Sequence, residues 1–230
     1  MLIEASPYKD VMLEAFDRTK YPAWVAIARA MSLGADTYFV VLENRAERDI
    51  FGLQGVWMAE DGYGEERRVP VKCDGLDRMR NMPVVRAGAR LLLTTRVFLP
   101  EPTGAMVGEG GFAGSMNAAP VAQFTRMAVD AIVFSDGALY GDDTLGYAEE
   151  IPARFAAAKT IATAARKAME RGQLTSDALV TYLALDERTK DSEAKWLRSY
   201  AHMVTALGSM SMRIVQYLES MPEPPAIRRG

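Results

Sequence analysis

Hydrophobic residues change their spacing once along this chain, near residue 145. Before that point they come in short runs rich in β-branched and aromatic residues, bounded by Gly, Pro, Asp and Asn. That is the pattern of strands on a pleated surface. After it they recur at alternating intervals of four and three, which lines up one stripe of a helix. The segment Met127–Tyr140 shows the first pattern best, with Ser135-Asp136-Gly137 as a tight turn between two strands.

Further strands are expected at Tyr38–Leu42 and Ile50–Met58. Gly52 and Gly55 within the second point to a bulge or a close backbone approach. Pro70 between Val69 and Val71 suits an edge strand. Ala89–Leu99 reads as one strong strand stopped by Pro100, and the last strands run over 123–134 and 138–140. Ala23–Met31 fits a strand by alternation and a helix nearly as well, because alanine is permissive. Thr103–Pro120, rich in Gly, Ala and Met, reads as a long loop. With no clear helix between the strands, a parallel sheet lacks its crossovers. An antiparallel sandwich or barrel is the expectation.

In the second half, Ile151, Phe155, Ala158, Ala162, Ala165 and Met169 lie on one helix stripe, and Gly172 supplies the helix stop. Thr175-Ser176-Asp177 offers a new N-cap before Ala178, Leu179, Tyr182, Leu183 and Leu185. A third helix is expected from Asp191 or Ser192 to Met221, stopped by Pro222, Pro224 and Pro225. Its seam is Trp196, Tyr200, Met203, Leu207, Met210, Ile214, Tyr217 and Met221. At 1.5 Å per residue it would be roughly 45 Å long, more than the preceding helix covers. A second subunit or the β part must then cover the rest.

Composition narrows the function. The net charge is -3 over 230 residues, so no overall positive field draws the chain to nucleic acid or anionic lipid. The densest charge run, Glu65-Glu66-Arg67-Arg68, neutralises itself. A single cysteine, Cys73, forms no internal disulfide and no cysteine-based zinc cluster. The N-terminus has no signal-peptide pattern and no apolar run reaches membrane-spanning length. The cytoplasm is the default expectation, with export and removal of a leader as the other.

Candidate chemistry is sparse. Gly108–Gly114 contains a GxGxxA string, but Asn117 and Pro120 stand where a phosphate-binding turn needs a helix, so a loop is expected. Asp130, Asp136, Asp142, Asp143, Glu149 and Glu150 could offer oxygen ligands, although Asp136-Gly137 is explained by turn chemistry and Glu149-Glu150 by a helix N-terminus. His202 is the only histidine, too few for a triad or a conventional zinc site. Trp57, Tyr63 and Phe112 could form an aromatic surface, with Trp57 more simply core. Methionine is abundant on the long helix and around Met106–Met127, where it either fills gaps or makes adaptable contacts.

Tyr38–Asn44 with Ile50–Met58, and Val129–Gly137 with Tyr140-Gly141-Asp142, resemble the paired strands and the closing hairpin of uncharacterised bacterial proteins. Those carry an immunoglobulin-like β-sandwich followed by a charged helix. The similarity spans residues 23–144 and departs from the antibody pattern in lacking both core cysteines. It implies a fold and no catalytic residues.

An α+β protein is therefore expected: an N-terminal antiparallel immunoglobulin-like β-sandwich over 1–145, a C-terminal α-helical hairpin or arm over 146–221, and a disordered tail over 222–230. Residues 1–20 would be an N-terminal extension. The favoured function is a non-enzymatic protein-interaction or scaffold role, self-associating through the long helix into a homo-oligomer or binding another protein. No nucleic acid, membrane, cofactor, metal or catalytic residue is expected. The alternative is a small-molecule or carbohydrate-binding protein, or an enzyme, with a pocket between sandwich and helices under the 103–120 loop. The candidate ligand or interaction surface comprises Arg126, Asp130, Asp136, Asp142, Trp196, Tyr200, Leu207 and Ile214.

Overall fold

Continuous apolar runs such as Phe39–Leu42 and Leu91–Leu93 have no polar side to turn to water, so a sheet built from them needs cover on both faces. The architecture supplies it. The structure, a computed structural model, describes residues 1–33, 38–60, 64–77, 84–95, 97–101, 112–113, 123–172, 174–175, 179, 192–206 and 210–230. Among these the chain is α+β. Its strands are β1 (Leu2–Ile3), β2 (Val11–Ala15), β3 (Phe39–Asn44), β4 (Ile50–Glu60), β5 (Glu66–Asp74), β6 (Arg90–Thr94), β7 (Val97–Pro100), β8 (Phe112–Ala113), β9 (Gln123–Phe134), β10 (Ala138–Tyr140) and β11 (Arg228–Arg229). Its helices are α1 (Pro22–Ala30), α2 (Tyr147–Glu170), α3 (Ser192–Ala206) and α4 (Ser211–Ser220).

Two compact units result. One contains Met1–Asp74, Met82–Leu145 and Pro225–Gly230, and the other Gly75–Asn81 with Gly146–Pro224. The first holds both sheets. One sheet runs β11-β10-β9-β4-β5, with β1 also paired to β9, and the other runs β2-β3-β6-β7-β8. They share one apolar core, to which Val40, Leu42, Leu91, Leu93 and Phe98 come from one sheet and Leu53, Trp57, Met127 and Ile132 from the other. The intervening residues Val41, Leu92 and Leu99 point the opposite way, because side chains alternate along a strand. There they meet Tyr21 and Trp24 at the start of α1 in a second apolar cluster. That is the second cover the apolar runs need.

The ends of β3 and β4 are fixed by a buried asparagine. Asn44 donates its side-chain amide to the carbonyls of Arg48, Val85 and Arg86 at 3.0, 3.2 and 3.1 Å. Its carboxamide oxygen accepts the Ala46 N–H at 3.2 Å. Shifts of register along β4 fall at Ile50/Gly52, Gln54/Gly55 and Met58/Ala59. β5, with Pro70 opposite Val56, is an edge strand.

Several expectations need correction. The β4–β9 sheet is mixed and not antiparallel throughout, since β1 runs parallel to β9 and β11 parallel to β10. Residues 1–20 are no extension, because β1 and β2 belong to the two sheets. Ala23–Met31 is largely helix, so a helix does lie between strands; Pro22 starts it with a φ that suits the first turn. Ala89–Leu99 is a hairpin, with Leu92 opposite Leu99 and Leu93 opposite Phe98. The tail is not disordered throughout: Arg228–Arg229 is a strand. The loop expected over 103–120 lies outside the described residues except for Phe112 and Ala113, which pair with β7.

In the second unit, α2 packs with both α3 and α4. The single helix expected from 191 to 221 is therefore replaced by two, each covered within its own unit. The interval between them contains Gly208, a weak helix former. Ser211 at the head of α4 donates its hydroxyl to the Val204 carbonyl at 2.5 Å, tying the two helices together. The buried residues also sit further round the helix than expected. Ala201, Val204, Ser211, Val215 and Leu218 are buried, whereas Met203, Ile214 and Tyr217 are half-buried and Met210 is exposed. That set lies one position, about 100° of rotation, beyond the expected seam, of which only Tyr200 and Met221 are buried among the described residues. The helices approach through small side chains. On α2 the buried set is broad, including Ile151, Ala157, Ala158, Ile161, Ala162 and Ala165. Ion pairing clamps α2 to α4: Arg166 grips Glu219 through Nε and Nη2 at 2.7 and 2.5 Å. Lys159 donates to the Met221 carbonyl at 3.0 Å, satisfying an acceptor at the end of α4.

Candidate functional site

Three clusters gather half of the candidate side chains. The first is built on adjacent strands. Asp130 of β9 is only 8% exposed, and both of its carboxylate oxygens are engaged. Gln54 of β4, the buried polar residue in an otherwise apolar strand, donates Nε2 to Oδ2 at 2.9 Å. Thr144 donates its backbone N–H and its hydroxyl to Oδ1 at 3.2 and 2.8 Å. Arg68 of β5 donates to the Thr144 hydroxyl at 2.8 Å and stands 4.0 Å from Oδ1. The main chain joins in: the Asp143 N–H donates to the Asp130 carbonyl at 3.1 Å, and a Cβ on Gly141 would collide with that same carbonyl. Asp130 thus anchors the 141–144 turn after β10. Asp142 lies in that turn with its side chain exposed and makes no part of the anchor.

The second cluster surrounds Arg48, between β3 and β4. Its guanidinium donates to Asp136 Oδ2 at 2.8 Å and to the Tyr140 hydroxyl at 3.2 Å. Its centre lies 4.2 Å from the ring of Phe134 and 5.3 and 5.4 Å from those of Tyr8 and Tyr140. Hydrogen bonding to Tyr140 and Asp136 raises its pKa further above its ordinary value. Asp136 is held below the usual carboxylate range, first by the Ala138 N–H that donates to Oδ1 at 3.0 Å and then by Arg48. This is a cation enclosed by aromatic faces and one carboxylate, and it fastens the β9–β10 hairpin to the β3–β4 turn and the N-terminal segment.

The third lies in the helical unit. Arg154 of α2, 3% exposed, places its guanidinium 4.7 Å from the ring centre of Trp196 on α3. Trp196 in turn lies 5.5 Å from Tyr200, rings inclined at 35°. The two candidate aromatics are neighbours one turn apart on α3, with the arginine over the first of them.

The remaining candidates are scattered. Arg126, far along β9 from Asp136, pairs with Glu4 at 3.1 Å and Glu66 at 3.6 Å on a solvent-facing surface. Ile214 is half-buried on α4, and Leu207 lies outside the described residues. Trp57 is core, and Tyr63 lies outside the described residues. Arg48, Gln54 and Arg154 were not singled out from sequence. Gln54 was visible as the lone amide inside an apolar strand and Arg154 as a charge three residues after Ile151 on the apolar stripe. Arg48 carried no signal, being one charge in the run Glu43–Asp49.

Among the described residues no group of three or more His, Cys, Asp or Glu side chains is arranged to hold a metal ion, and no helix is long and apolar enough to cross a membrane. Comparison with protein-family models, curated proteins and solved structures finds no match to the chain.

Proposed function

We propose that this chain is a non-enzymatic interaction or scaffold protein that associates, with itself first, through the outward surface of its helical unit. The observation that carries this is the exposure of Met210 and Met212, 48% and 44%, at the head of α4, with Met210 one turn before the half-buried Ile214. Burying such deformable thioether side chains against a partner removes apolar surface from water and tolerates imperfect fit. The candidate carboxylates support the same view from the other side, since Asp130 and Asp136 are engaged by residues of this chain. Their chemistry is that of anchors for a turn and a hairpin. In the same proposal the two-sheet unit is an immunoglobulin-like sandwich carrying a helical arm, supported by the single core shared between two sheets.

Light scattering on the intact chain and on Met210→Glu/Met212→Glu tests the association. A mass above 25.3 kDa that falls to 25.3 kDa in the variant, with unchanged circular dichroism, is the expected result. An assembly indifferent to both charges would place the contact elsewhere.

A further inference from the structure

The tail supplies a strand to a sheet it reaches only after the whole helical unit has been threaded. Between β10 and β11 the chain runs through α2, α3 and α4, then through Pro222, Glu223, Pro224 and Pro225. These prolines extend the chain and cannot propagate α4 into the tail. Yet Arg228–Arg229 aligns parallel to β10, Arg228 opposite Ala138 and Arg229 opposite Leu139. The Arg228 N–H donates to the Gly137 carbonyl at 2.9 Å and the Gly230 N–H to the Leu139 carbonyl at 3.0 Å.

The accepting edge is shaped for a backbone. Gly137 sits at φ +86, and any Cβ there would collide with the Ala226 carbonyl. Gly230 lies so close over the Tyr140 ring that a side chain would strike it. The edge is also built without the tail. Gly137 N–H closes the hairpin on Phe134 O at 2.9 Å, Asp136 caps Ala138, and Tyr140 is held by Arg48 and by the rings of Tyr8 and Phe134. The tail contributes little of its own: a ladder of two residues whose arginine side chains are exposed. A site that persists when its occupant leaves, read through main-chain atoms, takes an identical strand from another copy equally well.

We infer that the β10 edge is a strand-accepting site that the tail of a second copy fills in place of the chain's own, pairing two chains by tail exchange. This contact is separate from the methionine surface of α4 and goes beyond it. The occupant is the segment Ala226–Gly230, and the specificity lies in a backbone N–H at 228 and in glycine at 137 and 230.

Light scattering on the intact chain from about 10 μM to about 1 mM, a range in which weak contacts populate, is the test. The mass is expected to rise from 25.3 kDa toward twice that value. An excess of the free peptide Pro224–Gly230 returns it to 25.3 kDa without any change to the protein. Deletion of Ala226–Gly230, which takes the occupant away from every copy, leaves a monomer at every concentration in that range. A mass of 25.3 kDa at every concentration overturns the inference, as does a dimer that survives both the peptide and the deletion of Ala226–Gly230. A dimer lost in Met210→Glu/Met212→Glu alone also overturns it while upholding the helical surface; the converse result separates them the other way.

Discussion

Asp136 shows how one side chain joins sequence-local and long-range structure. Its Asp-Gly pair makes the turn, and its carboxylate then accepts both a turn N–H and the guanidinium of Arg48, 88 residues earlier in the sequence. The folded-state pKa is depressed by those two donors. As pH falls, the unfolded chain therefore takes up this proton before the folded one does. The stabilisation is complete above the ordinary carboxylate range and is lost as pH falls through the depressed folded value. The side chain is 45% exposed, so solvent screening keeps the contribution below about 1 kcal/mol. Asp136→Asn keeps an oxygen for the Ala138 N–H and removes the charge. Urea unfolding near pH 7 and near pH 3 should show the variant less stable at the higher pH, with a smaller deficit at the lower. An equal deficit at both would mean that the hydrogen bond, and not the charge, carries the effect.

At the scale of elements, legibility followed how strongly local chemistry constrained each segment. β9 and β10 were readable residue by residue because β-branched runs flank an Asp-Gly turn, and the β5 edge was readable because proline has no N–H to give a second neighbour. α1 was ambiguous because alanine permits both patterns, and only the apolar face formed by Val41, Leu92 and Leu99 decides for the helix. The hairpin between β6 and β7 was hidden because Thr94 and Thr95 interrupt the apolar run with no Gly, Pro, Asn or Asp to mark a reversal. The α3–α4 seam lies one residue beyond the stripe of large side chains, because small residues such as Ala201 and Ser211 make the contact. Large residues flank a close helix contact; small ones allow it. Arg48 was illegible for a different reason, since its partners come from two distant segments, Tyr8 and the Phe134–Tyr140 hairpin. The seam assignment has a direct consequence. Ala201→Leu should destabilise by about 1–3 kcal/mol through overpacking, while Met203→Leu, one volume-conserving step on the half-buried flank, should stay within about 0.5 kcal/mol. Thermal denaturation of both variants checks this, and a reversed order would place the contact on the stripe of large side chains.

Across the whole molecule, hydrogen bonding is graded, and the gradient should be visible in exchange. β4 is paired along both sides, to β5 over Gly52–Glu60 and to β9 over Ile50–Glu60, and its inward residues Leu53 and Trp57 are fully buried. Opening it breaks two ladders and the shared core at once, so its amides should exchange only with global unfolding. β1 and β11 are ladders of two residues at the margins of the same sheet. Their opening exposes little apolar surface and costs a small fraction of the total. Native-state hydrogen exchange followed by mass spectrometry should therefore find peptides from β4 and the facing part of β9 at least a thousandfold slower than those covering Leu2–Ile3 and Arg228–Gly230, a gap on the order of 4 kcal/mol. The comparison also bears on the tail. A tail that opens independently of β4 leaves the β10 edge free within an otherwise intact sheet, which is what exchange between copies requires. A tail as protected as β4 would make it an integral strand, released only when the unit unfolds, and strand exchange would then be as slow as unfolding itself.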